Sequence, residues 1–242
     1  MKAMILAAGK GTRLRPLTEN IPKPMVPLHG KPLLEYTIEW LKDYGFKQIA
    51  INLHHQPHVI INHFKNGERW GVDITYSEEK ELLGTAGAVK RLSWFFNEPF
   101  LVVYGDNLSN CKLNRLIREH KENSASATIA LFKREDTSSS GVAEMDTHNR
   151  IKRFIEKPKE GQTQSNLVNA GIYFLEPEVI AHIPKDQPYD FGRQLLPDLL
   201  MKEQELYGYI MSESEKLYWA DTMESYQTML DAVSDGCIGN VK

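Results

Sequence analysis

The chain has 242 residues, of which 41% are apolar and 25% are charged, and its formal net charge is −3. That length and apolar fraction can bury a substantial core, while the slight negative charge argues against a general nucleic-acid binder. No apolar window approaches the roughly 20 residues of a membrane span. The two cysteines, Cys111 and Cys237, have no metal-like spacing, so we expect a reduced, cytoplasmic setting.

Short apolar runs alternate with helical patterns in the first half of the chain. We predict strands at 3–7, 48–53, 72–77 and 100–104, and helices at 33–44, 57–64 and 86–96. Repeated strand–helix pairs are typical of parallel strands joined by crossover helices. The pattern predicts an α/β fold, namely a Rossmann-like three-layer α/β/α sandwich with a mixed, mainly parallel central sheet.

The rhythm changes after about residue 125. We predict strands at 127–132, 142–145, 151–155, 168–174 and 206–210, and helices at 189–202 and 223–233. Polar turns join these elements. We expect the later strands to extend or flank the first sheet, so that residues 1–242 form a single domain.

The first predicted strand runs into a segment rich in glycine, proline and positive charge, AAGKGTRLRPLTENIPKPMVP at 7–27. Loops with unshielded backbone N–H groups bind phosphate and let a nucleotide approach the main chain. The segment is not a Walker A sequence, and Leu14 stands where a dinucleotide fingerprint needs its third glycine. Arg13 and Lys23 can neutralise phosphates, and prolines on both sides fix the backbone around Lys23.

Further motifs are spaced along the whole chain. The N-terminal segment reads G-x-G-T-R-L-x-P-L-T, P-K-P-M-V-P and G-K-P-L-L-E-Y, and it is followed by L-G-T-A-G at 83–87, Y-G-D at 104–106, E-K-P at 156–158, N-A-G at 169–171 and W-A-D at 219–221. Together these motifs resemble the signature of the sugar-1-phosphate nucleotidylyltransferases, and L-G-T-A-G resembles the mannose-1-phosphate guanylyltransferase branch. The resemblance implies transfer of a nucleotidyl group from a nucleoside triphosphate to a hexose-1-phosphate, with release of pyrophosphate. It also implies a nucleotide-binding half at 1–125 and a sugar-phosphate-binding half at 126–242.

The resemblance gives roles to the charged residues of these motifs. Arg13 would hold the β- and γ-phosphates, Lys23 the α-phosphate where charge builds, and Lys157 the incoming sugar phosphate. Asp106 and Asp221 would share one Mg²⁺ that bridges both substrates. The remaining nucleotide-binding residues would be Leu6, Ala7, Ala8, Gly9, Gly11, Thr12, Glu79, Gly84 and Thr85. The sugar-binding residues would be Glu156, Asn169 and Gly171.

Some of these residues have plain structural alternatives. Lys157 also fits a surface lysine in the turn before Pro158, and Asp106 fits a turn-forming aspartate. The family often continues W-x-D-x-G-T-P, whereas this chain reads W-A-D-T-M-E after Trp219. We therefore expect a different loop after Asp221, which would alter the geometry around the sugar or the metal.

Glu79 offers a physical clue to the nucleobase. A carboxylate only accepts hydrogen bonds, and guanine presents two adjacent donors, whereas uracil and thymine present one donor between two carbonyls. This favours GTP, although the acidic run at 78–81 also fits a solvated loop.

The substrates expected are therefore GTP and mannose-1-phosphate, with glucose, a heptose or an N-acetyl amino sugar as alternatives. Thymidylyl-, uridylyl- or cytidylyl transfer, a non-sugar acceptor such as phosphocholine or a pterin, and a catalytically silent homologue that senses nucleotide-sugar also stay open. No nucleic acid or membrane is expected as a partner. The family resemblance suggests a homodimer.

Overall fold

The structure is a computed structural model, and it describes residues 1–238. The α-helices are α1 Leu33–Asp43, α2 Pro57–Phe64, α3 Gly84–Arg91, α4 Leu113–Glu122, α5 Leu196–Met201 and α6 Met223–Ser234. The strands are β1 Lys2–Leu6, β2 Pro27–Leu28, β3 Lys31–Pro32, β4 Gln48–Leu53, β5 Asp73–Glu78, β6 Phe100–Tyr104, β7 Asn107–Ser109, β8 Ala127–Lys133, β9 Gly141–Met145, β10 Ile151–Glu156, β11 Leu167–Leu175, β12 Leu206–Ile210 and β13 Leu217–Trp219. No helix among the described residues is both long enough and apolar enough to cross a membrane.

Contacts group the chain into two compact units. The first contains Met1–Leu82, Val103–Cys111 and the segment that begins at Glu213, and the second contains Leu83–Val102 and Lys112–Ser212. Each unit is therefore assembled from separate stretches of sequence. The single domain and the functional halves at 1–125 and 126–242 stay predictions.

A parallel sheet organises the first unit. β4 pairs in parallel with β1 and with β5, placing Leu6 opposite Asn52 and Leu53 opposite Glu78. β1 and β4 are almost continuously apolar, as expected for parallel strands that are covered on both faces, whereas β5 is mostly polar. Their carboxyl ends lie at one edge, where ligands bind in open α/β sheets.

An apolar cluster in the first unit packs against the segment at 7–27 that follows β1. Leu14 is fully buried there and packs with residues of α1 and α6, among them Tyr36, Met229 and Val233. Tyr226 of α6 also donates its hydroxyl hydrogen to the backbone of the β2–β3 region. Apolar packing and this hydrogen bond therefore fix the glycine- and proline-rich segment at 7–27 to the first unit.

The second unit has a mixed sheet. β8 pairs antiparallel with β11 and parallel with β12, and β9 pairs antiparallel with β10 and β11. Helix α4 belongs to this unit and was not predicted, although Leu113, Leu116 and His120 are buried at helical spacing. His120 lies 2.9 Å from the Thr128 hydroxyl and 3.1 Å from a Glu176 carboxylate oxygen.

The predicted fold class is confirmed, with a mixed sheet and flanking helices in a Rossmann-like α/β fold. The predicted bounds 48–53, 57–64, 100–104 and 206–210 coincide with β4, α2, β6 and β12. The helix predicted at 86–96 is wrong at its end, because α3 stops at Arg91 and turns follow. The helix predicted at 189–202 begins as a π-helical turn, Phe191–Leu195, and α5 follows with Pro197 in its first turn.

Candidate active site

The loop after β1 packs closely around a glycine. Gly11 has a φ of +61°, and a Cβ there would lie 2.9 Å from Lys23 Cβ, so glycine allows the loop to lie on this lysine. The Thr18 hydroxyl donates to the Gly11 carbonyl over 2.7 Å. No described atom outside its chain neighbours lies within 4 Å of a Cβ built at Gly9. The backbone at Gly9 is therefore open to an approaching ligand.

The other predicted residues of this loop lie along its path from the sheet. Leu6 ends β1, and Ala7 and Ala8 are buried directly after it. Thr12 opens a short 3-10 helix that ends at the buried Leu14. These residues are contiguous with Gly9 and Gly11, and their role in nucleotide binding stays a prediction.

Four charged side chains of the predicted site meet in the first unit. The Lys23 ammonium donates to a carboxylate oxygen of Asp106 and lies 2.7 Å from Asp221 Oδ1. Arg13 reaches the same oxygen of Asp221 at 3.1 Å. The Lys23 side chain is only 10% exposed, whereas that of Arg13 is 71% exposed. The cluster thus has a buried lysine at its centre, two carboxylates beside it and an arginine at the surface.

A short antiparallel strand pair brings the two aspartates together. β7 follows Asp106 and pairs with β13, which ends two residues before Asp221. The Ala220 N–H donates to the Asp106 carbonyl over 3.2 Å, and the Gly105 N–H donates to the Leu6 carbonyl over 2.9 Å. Asp106 does lie in a turn, but its side chain contacts Lys23, so the turn and the charged cluster coexist.

The charge of Lys23 is set by two opposing effects. Burial by itself lowers the pKa of an ammonium, because the charged form loses solvation. The Asp106 carboxylate, by charge and hydrogen bonding, and then Asp221 outweigh burial and raise the pKa of Lys23 above its ordinary value of 10.5. The ammonium therefore stays protonated across the physiological pH range.

The segment after Asp221 is the start of a helix. Thr222 is the N-cap of α6 and forms a reciprocal capping box with Ser225. The Asp221 N–H also donates to the Ser225 hydroxyl over 3.0 Å. The segment after Asp221 is thus a helix cap, and the Asp221 carboxylate contacts Lys23. That this segment differs from the rest of the family stays a prediction.

Replacing Thr222 with alanine is expected to lower the free energy of unfolding by about 1 kcal/mol, because the Ser225 N–H loses its acceptor. Thr222→Ser keeps a hydroxyl and serves as the matched control, with stability close to that of the wild type. Urea unfolding followed by circular dichroism measures the difference. Equal midpoints for the alanine and serine variants would contradict a stabilising cap.

Glu79 and its surroundings differ from the solvated loop that the acidic run also suggested. Glu79 is 4% exposed and Asn52 is 3% exposed, so the solvated alternative is wrong for Glu79. Asn52 donates to Glu79 Oε1 over 2.8 Å and accepts from the Ala7 N–H over 2.9 Å. The sequence analysis did not single out Asn52. The pattern that could have indicated it is a single amide side chain inside the otherwise apolar run IAINL of strand β4.

In the second unit, Glu156 ends β10 in a space left by two glycines. A Cβ on Gly192 would collide with Glu156 Oε2, and one on Gly141 would lie 2.9 Å from it. Lys157 follows with a φ of +53°, which is uncommon for a residue with a side chain and occurs often at functional sites. Glu156 and Lys157 line a surface cavity together with Gly192 and Arg193. Arg193 is the cation that sequence reasoning missed.

Asn169 and Gly171 form an internal bend in β11. The Gly171 N–H donates to Asn169 Oδ1 over 2.9 Å, and Asn169 Nδ2 donates to the Tyr173 hydroxyl over 2.6 Å. The pairing of β11 with β8 is irregular at this point, and Gly171 has a φ of +67°. Tyr173 stacks on Phe191 with ring centroids 4.4 Å apart. Two side-chain hydrogen bonds and a ring contact therefore hold the bend, and its contact with a sugar stays a prediction.

The L-G-T-A-G motif packs against the backbone at Tyr189. Gly84 has a φ of +72°, and a Cβ there would lie 2.7 Å from the Tyr189 carbonyl oxygen, which accepts the Gly87 N–H over 2.9 Å. Thr85 donates its hydroxyl hydrogen to Asp190 over 3.2 Å. The glycines of this motif therefore serve a close approach between two chain segments, and a role for Gly84 and Thr85 in nucleotide binding stays a prediction.

The electrostatics of Glu156 give a stability prediction. Burial raises the pKa of Glu156 above its ordinary value of 4.5, although Lys157 and Arg193 oppose the shift. A raised pKa in the folded state means that folding disfavours the ionised form, so this cost is absent below pH 4.5 and grows as the pH rises through the folded pKa. Glu156→Gln should therefore be more stable than the wild type at pH 7, and the gain should vanish at pH 3.5.

Thermal unfolding of both proteins at several pH values measures this effect. Glu144→Gln is the control, because Glu144 lies on neighbouring β9 and accepts a hydrogen bond from Thr163. An equal stability of Glu156→Gln and the wild type at pH 7 would contradict the assigned cost of burying Glu156.

Asp106 and Asp221 suit a magnesium ion. Mg²⁺ is held by one or two protein carboxylates and fills its remaining positions with water and substrate phosphates. Within residues 1–238 there is no group of three or more His, Cys, Asp or Glu side chains that could hold a metal. Two carboxylates beside the glycine-containing loop after β1 therefore fit an ion that takes its further ligands from water and substrate.

Comparisons with known proteins place this arrangement in a family. The nucleotidyl transferase family profile matches residues 2–235. The chain is 43% identical over 214 residues to UTP–glucose-1-phosphate uridylyltransferase of Synechocystis, covering 83% of this chain and 55% of the relative. It is 37% identical over 227 residues to mannose-1-phosphate guanyltransferase of Saccharomyces cerevisiae, covering 91% of this chain and 61% of the relative. The chain thus spans little more than half the length of these curated relatives.

A solved structure shares the fold over the full chain. It is a Bacillus anthracis protein assigned as a glucose-1-phosphate thymidylyltransferase and crystallised with sucrose. The TM-score is 0.88 at 25% identity, and the match covers 100% of this chain and 98% of the other. The similarity therefore extends to the whole architecture.

Proposed function

This chain belongs to the nucleotidyl transferase family, and from that membership we propose that it joins a nucleoside triphosphate to a sugar-1-phosphate and releases pyrophosphate. One observation supports the proposal most directly. The charged cluster of Arg13, Lys23, Asp106 and Asp221 lies in the same unit as the loop that contains Gly9 and Gly11, whose backbone is open at Gly9. Transfer at a phosphorus atom depends mainly on positioning and charge neutralisation. Lys23 and Arg13 supply positive charge for neutralisation, and the two aspartates beside them supply positions for a metal ion and the substrates.

The first unit would bind the triphosphate. The open backbone at Gly9 lies near the exit of β1, where N–H groups can meet phosphate oxygens. Lys23 is the fixed cation, because its ammonium is buried and held by two carboxylates. The Arg13 side chain is largely exposed, so it can change its conformation to contact the β- and γ-phosphates. In this arrangement Lys23 stabilises charge at the reacting α-phosphate, and Arg13 orients the leaving pyrophosphate.

Asp106 and Asp221 are the proposed ligands of Mg²⁺. When bound, the ion supplies positive charge that neutralises phosphate oxygens in the transition state. The contribution of the protein is the position of the two carboxylates, which the β7–β13 pair and the α6 cap fix. To serve as ligands, these carboxylates must loosen their contacts with Lys23, whose ammonium can then turn towards phosphate.

The second unit would bind the sugar-1-phosphate. Glu156 offers carboxylate oxygens to sugar hydroxyls, and Lys157 offers a cation to the phosphate. These two residues and Arg193 line one cavity. The glycines at 141 and 192 leave the space that the Glu156 carboxylate occupies. A neutral sugar with an anionic phosphate matches such a pairing of acceptor and cations.

GTP and mannose-1-phosphate are the substrates we favour. The buried carboxylate of Glu79 suits the adjacent donors of guanine, and the relative from Saccharomyces cerevisiae is a mannose-1-phosphate guanyltransferase. A second candidate is UTP with glucose-1-phosphate, which the similarity to the Synechocystis uridylyltransferase supports.

A substrate panel tests the proposal. GTP, UTP, dTTP, CTP and ATP are each combined with mannose-1-phosphate, glucose-1-phosphate, N-acetylglucosamine-1-phosphate, phosphocholine or a pterin acceptor in the presence of Mg²⁺, and pyrophosphate release is measured. Binding of the corresponding nucleotide-sugars is measured by titration calorimetry. The proposal expects turnover that needs both substrates, with the highest kcat/KM for GTP and mannose-1-phosphate. Binding of a nucleotide-sugar without any pyrophosphate release would instead support a silent sensor, and turnover only with phosphocholine or a pterin acceptor would replace the sugar.

A further inference from the structure

A line of hydrogen bonds crosses three parallel strands at the carboxyl edge of the first unit's sheet. Ala7 directly follows β1, Asn52 is the fifth residue of β4, and Glu79 directly follows β5. The Ala7 N–H donates to Asn52 Oδ1 over 2.9 Å, and Asn52 Nδ2 donates to Glu79 Oε1 over 2.8 Å. Asn52 thus joins the beginning of the glycine loop to the predicted base-reading carboxylate.

The chemistry of the partners fixes the orientation of the Asn52 amide. A backbone N–H can only donate and a carboxylate can only accept, so the carbonyl of Asn52 must face Ala7 and its NH₂ must face Glu79. Asn52 is 3% exposed, and a buried amide that lost either partner would carry the full cost of desolvation. Flipping of this side chain is therefore strongly disfavoured.

The backbone of Glu79 is also fixed. Its N–H donates to the Leu53 carbonyl over 2.7 Å, and its carbonyl lies 2.8 Å from His54 Nδ1. With the backbone held, the hydrogen bond from Asn52 contributes to the direction of the Glu79 side chain. A carboxylate has about four acceptor positions, and the bond from Asn52 takes one of them.

We propose that Asn52 is a positioning residue that sets nucleobase preference by holding the Glu79 carboxylate in register with the glycine loop at Ala7. This inference rests on the proposed function, because it assumes that a nucleoside triphosphate binds at this edge of the sheet. It extends that function by assigning base selection to a residue that is buried behind the acceptor. A nucleobase that donates hydrogen bonds to Glu79 then encounters a carboxylate whose direction Asn52 has set before binding.

Substitution by aspartate separates the two hydrogen bonds of Asn52. In Asn52→Asp an oxygen still accepts from Ala7, but a second carboxylate oxygen faces Glu79 in place of the donor. Two buried carboxylates repel each other, so we expect the Glu79 side chain to turn away from its present direction. In Asn52→Ala both bonds are lost. Glu79→Gln keeps an oxygen that accepts from Asn52, while it adds a donor where guanine needs an acceptor.

The test measures dissociation constants for GTP and UTP by titration calorimetry, without any sugar phosphate. For Asn52→Asp and Glu79→Gln we expect the ratio of GTP to UTP affinity to fall about tenfold, the effect of one misplaced hydrogen bond of ~1.4 kcal/mol. Asn52→Ala should weaken both nucleotides as well. Asn66→Asp is the control, because Asn66 is exposed and its side-chain oxygen accepts the nearby Glu68 N–H over 3.3 Å, a bond that an aspartate oxygen can also accept.

The outcomes separate this inference from the proposed function. An unchanged GTP-to-UTP ratio in Asn52→Asp, or no nucleotide binding by the wild type, overturns the role of Asn52. An unchanged ratio in Glu79→Gln removes Glu79 as the acceptor that reads the base, and the role of Asn52 with it. Nucleotide binding without pyrophosphate release overturns the proposed reaction and leaves the binding test valid. If Asn52→Asp does not fold, Asn52→Ala decides the question, because it removes the bond to Glu79 without adding a charge, and an unchanged GTP-to-UTP ratio in that variant would overturn the role of Asn52.

Discussion

Replacing Asp106 with asparagine is expected to lower the rate of pyrophosphate release by about 10²–10³-fold, the loss typical of removing one group that stabilises charge in a transition state. Asparagine has the same shape and can still accept a hydrogen bond from the Lys23 ammonium. The substitution therefore removes the negative charge and leaves the turn at Gly105 and the β7–β13 pair in place. The loss is expected in kcat, because the charge matters most when the substrates react.

The control for this prediction is Asp73→Asn. Asp73 is exposed at the first residue of β5, at the amino end of the strand, so its charge lies away from the cluster. The assay uses saturating GTP, mannose-1-phosphate and Mg²⁺, and circular dichroism confirms that both variants are folded. A rate for Asp106→Asn within threefold of the control would remove Asp106 from the proposed metal site.

Replacing Lys23 with methionine is the second prediction, and it has two expected effects. The rate should fall by about 10²-fold or more, because a cation at the reacting phosphate is lost. Stability without metal should also fall by about 3 kcal/mol, since breaking a buried ion pair leaves uncompensated carboxylates. For a chain of this size that corresponds to a melting temperature lower by about 6–12 °C.

Mg²⁺ should reverse part of this loss of stability. In the wild type the Lys23 ammonium contacts both Asp106 and Asp221, so a divalent ion must compete with a cation that is already present. Without that ammonium the two carboxylates attract the ion more strongly, and binding to the folded state raises the melting temperature. We therefore expect Mg²⁺ to raise the melting temperature of Lys23→Met more than that of the wild type.

Lys31→Met is the matched control for this experiment. Lys31 lies 2.6 Å from Glu39, and both side chains are far more exposed than that of Lys23. Partly exposed pairs contribute about 0–1 kcal/mol, and the contact of the Lys31 ammonium with the Tyr36 ring contributes about 0.5–1 kcal/mol. This variant should therefore lose less stability than Lys23→Met and stay close to the wild type in rate and in its response to Mg²⁺. If Lys23→Met and Lys31→Met respond equally to Mg²⁺, the ammonium does not compete with a metal at the two aspartates.

Elements with a strong local pattern were predicted well. Four predicted elements have the bounds of the structure, because apolar periodicity and flanking turn residues are local properties of the chain. Helix α4 was overlooked despite such a pattern. The strands β7 and β13 could not be predicted in the same way, since each has three residues and exists only through pairing with the other.

The site shows the same division between local and long-range information. Motifs pointed to Lys23, Asp106 and Asp221, yet the hydrogen bonds of Lys23 join residues 83 and 198 positions apart. No spacing in a sequence gives such distances. The L-G-T-A-G motif is a second example, because the close approach of its glycines to the backbone at Tyr189 could not be inferred from the motif itself.

By itself, the sequence determined the alternation of strands and helices and the glycine and proline positions of the loop at 7–27. It also determined which residue types can bind phosphate and a metal ion. Only the tertiary structure decided that Lys23 lies between two carboxylates, that a capped helix follows Asp221, and that Asn52 connects Ala7 to Glu79. The physical reason is the range of the forces involved. Backbone preferences act between neighbours in the chain, whereas burial, charge and hydrogen bonding between side chains depend on which distant segments pack together.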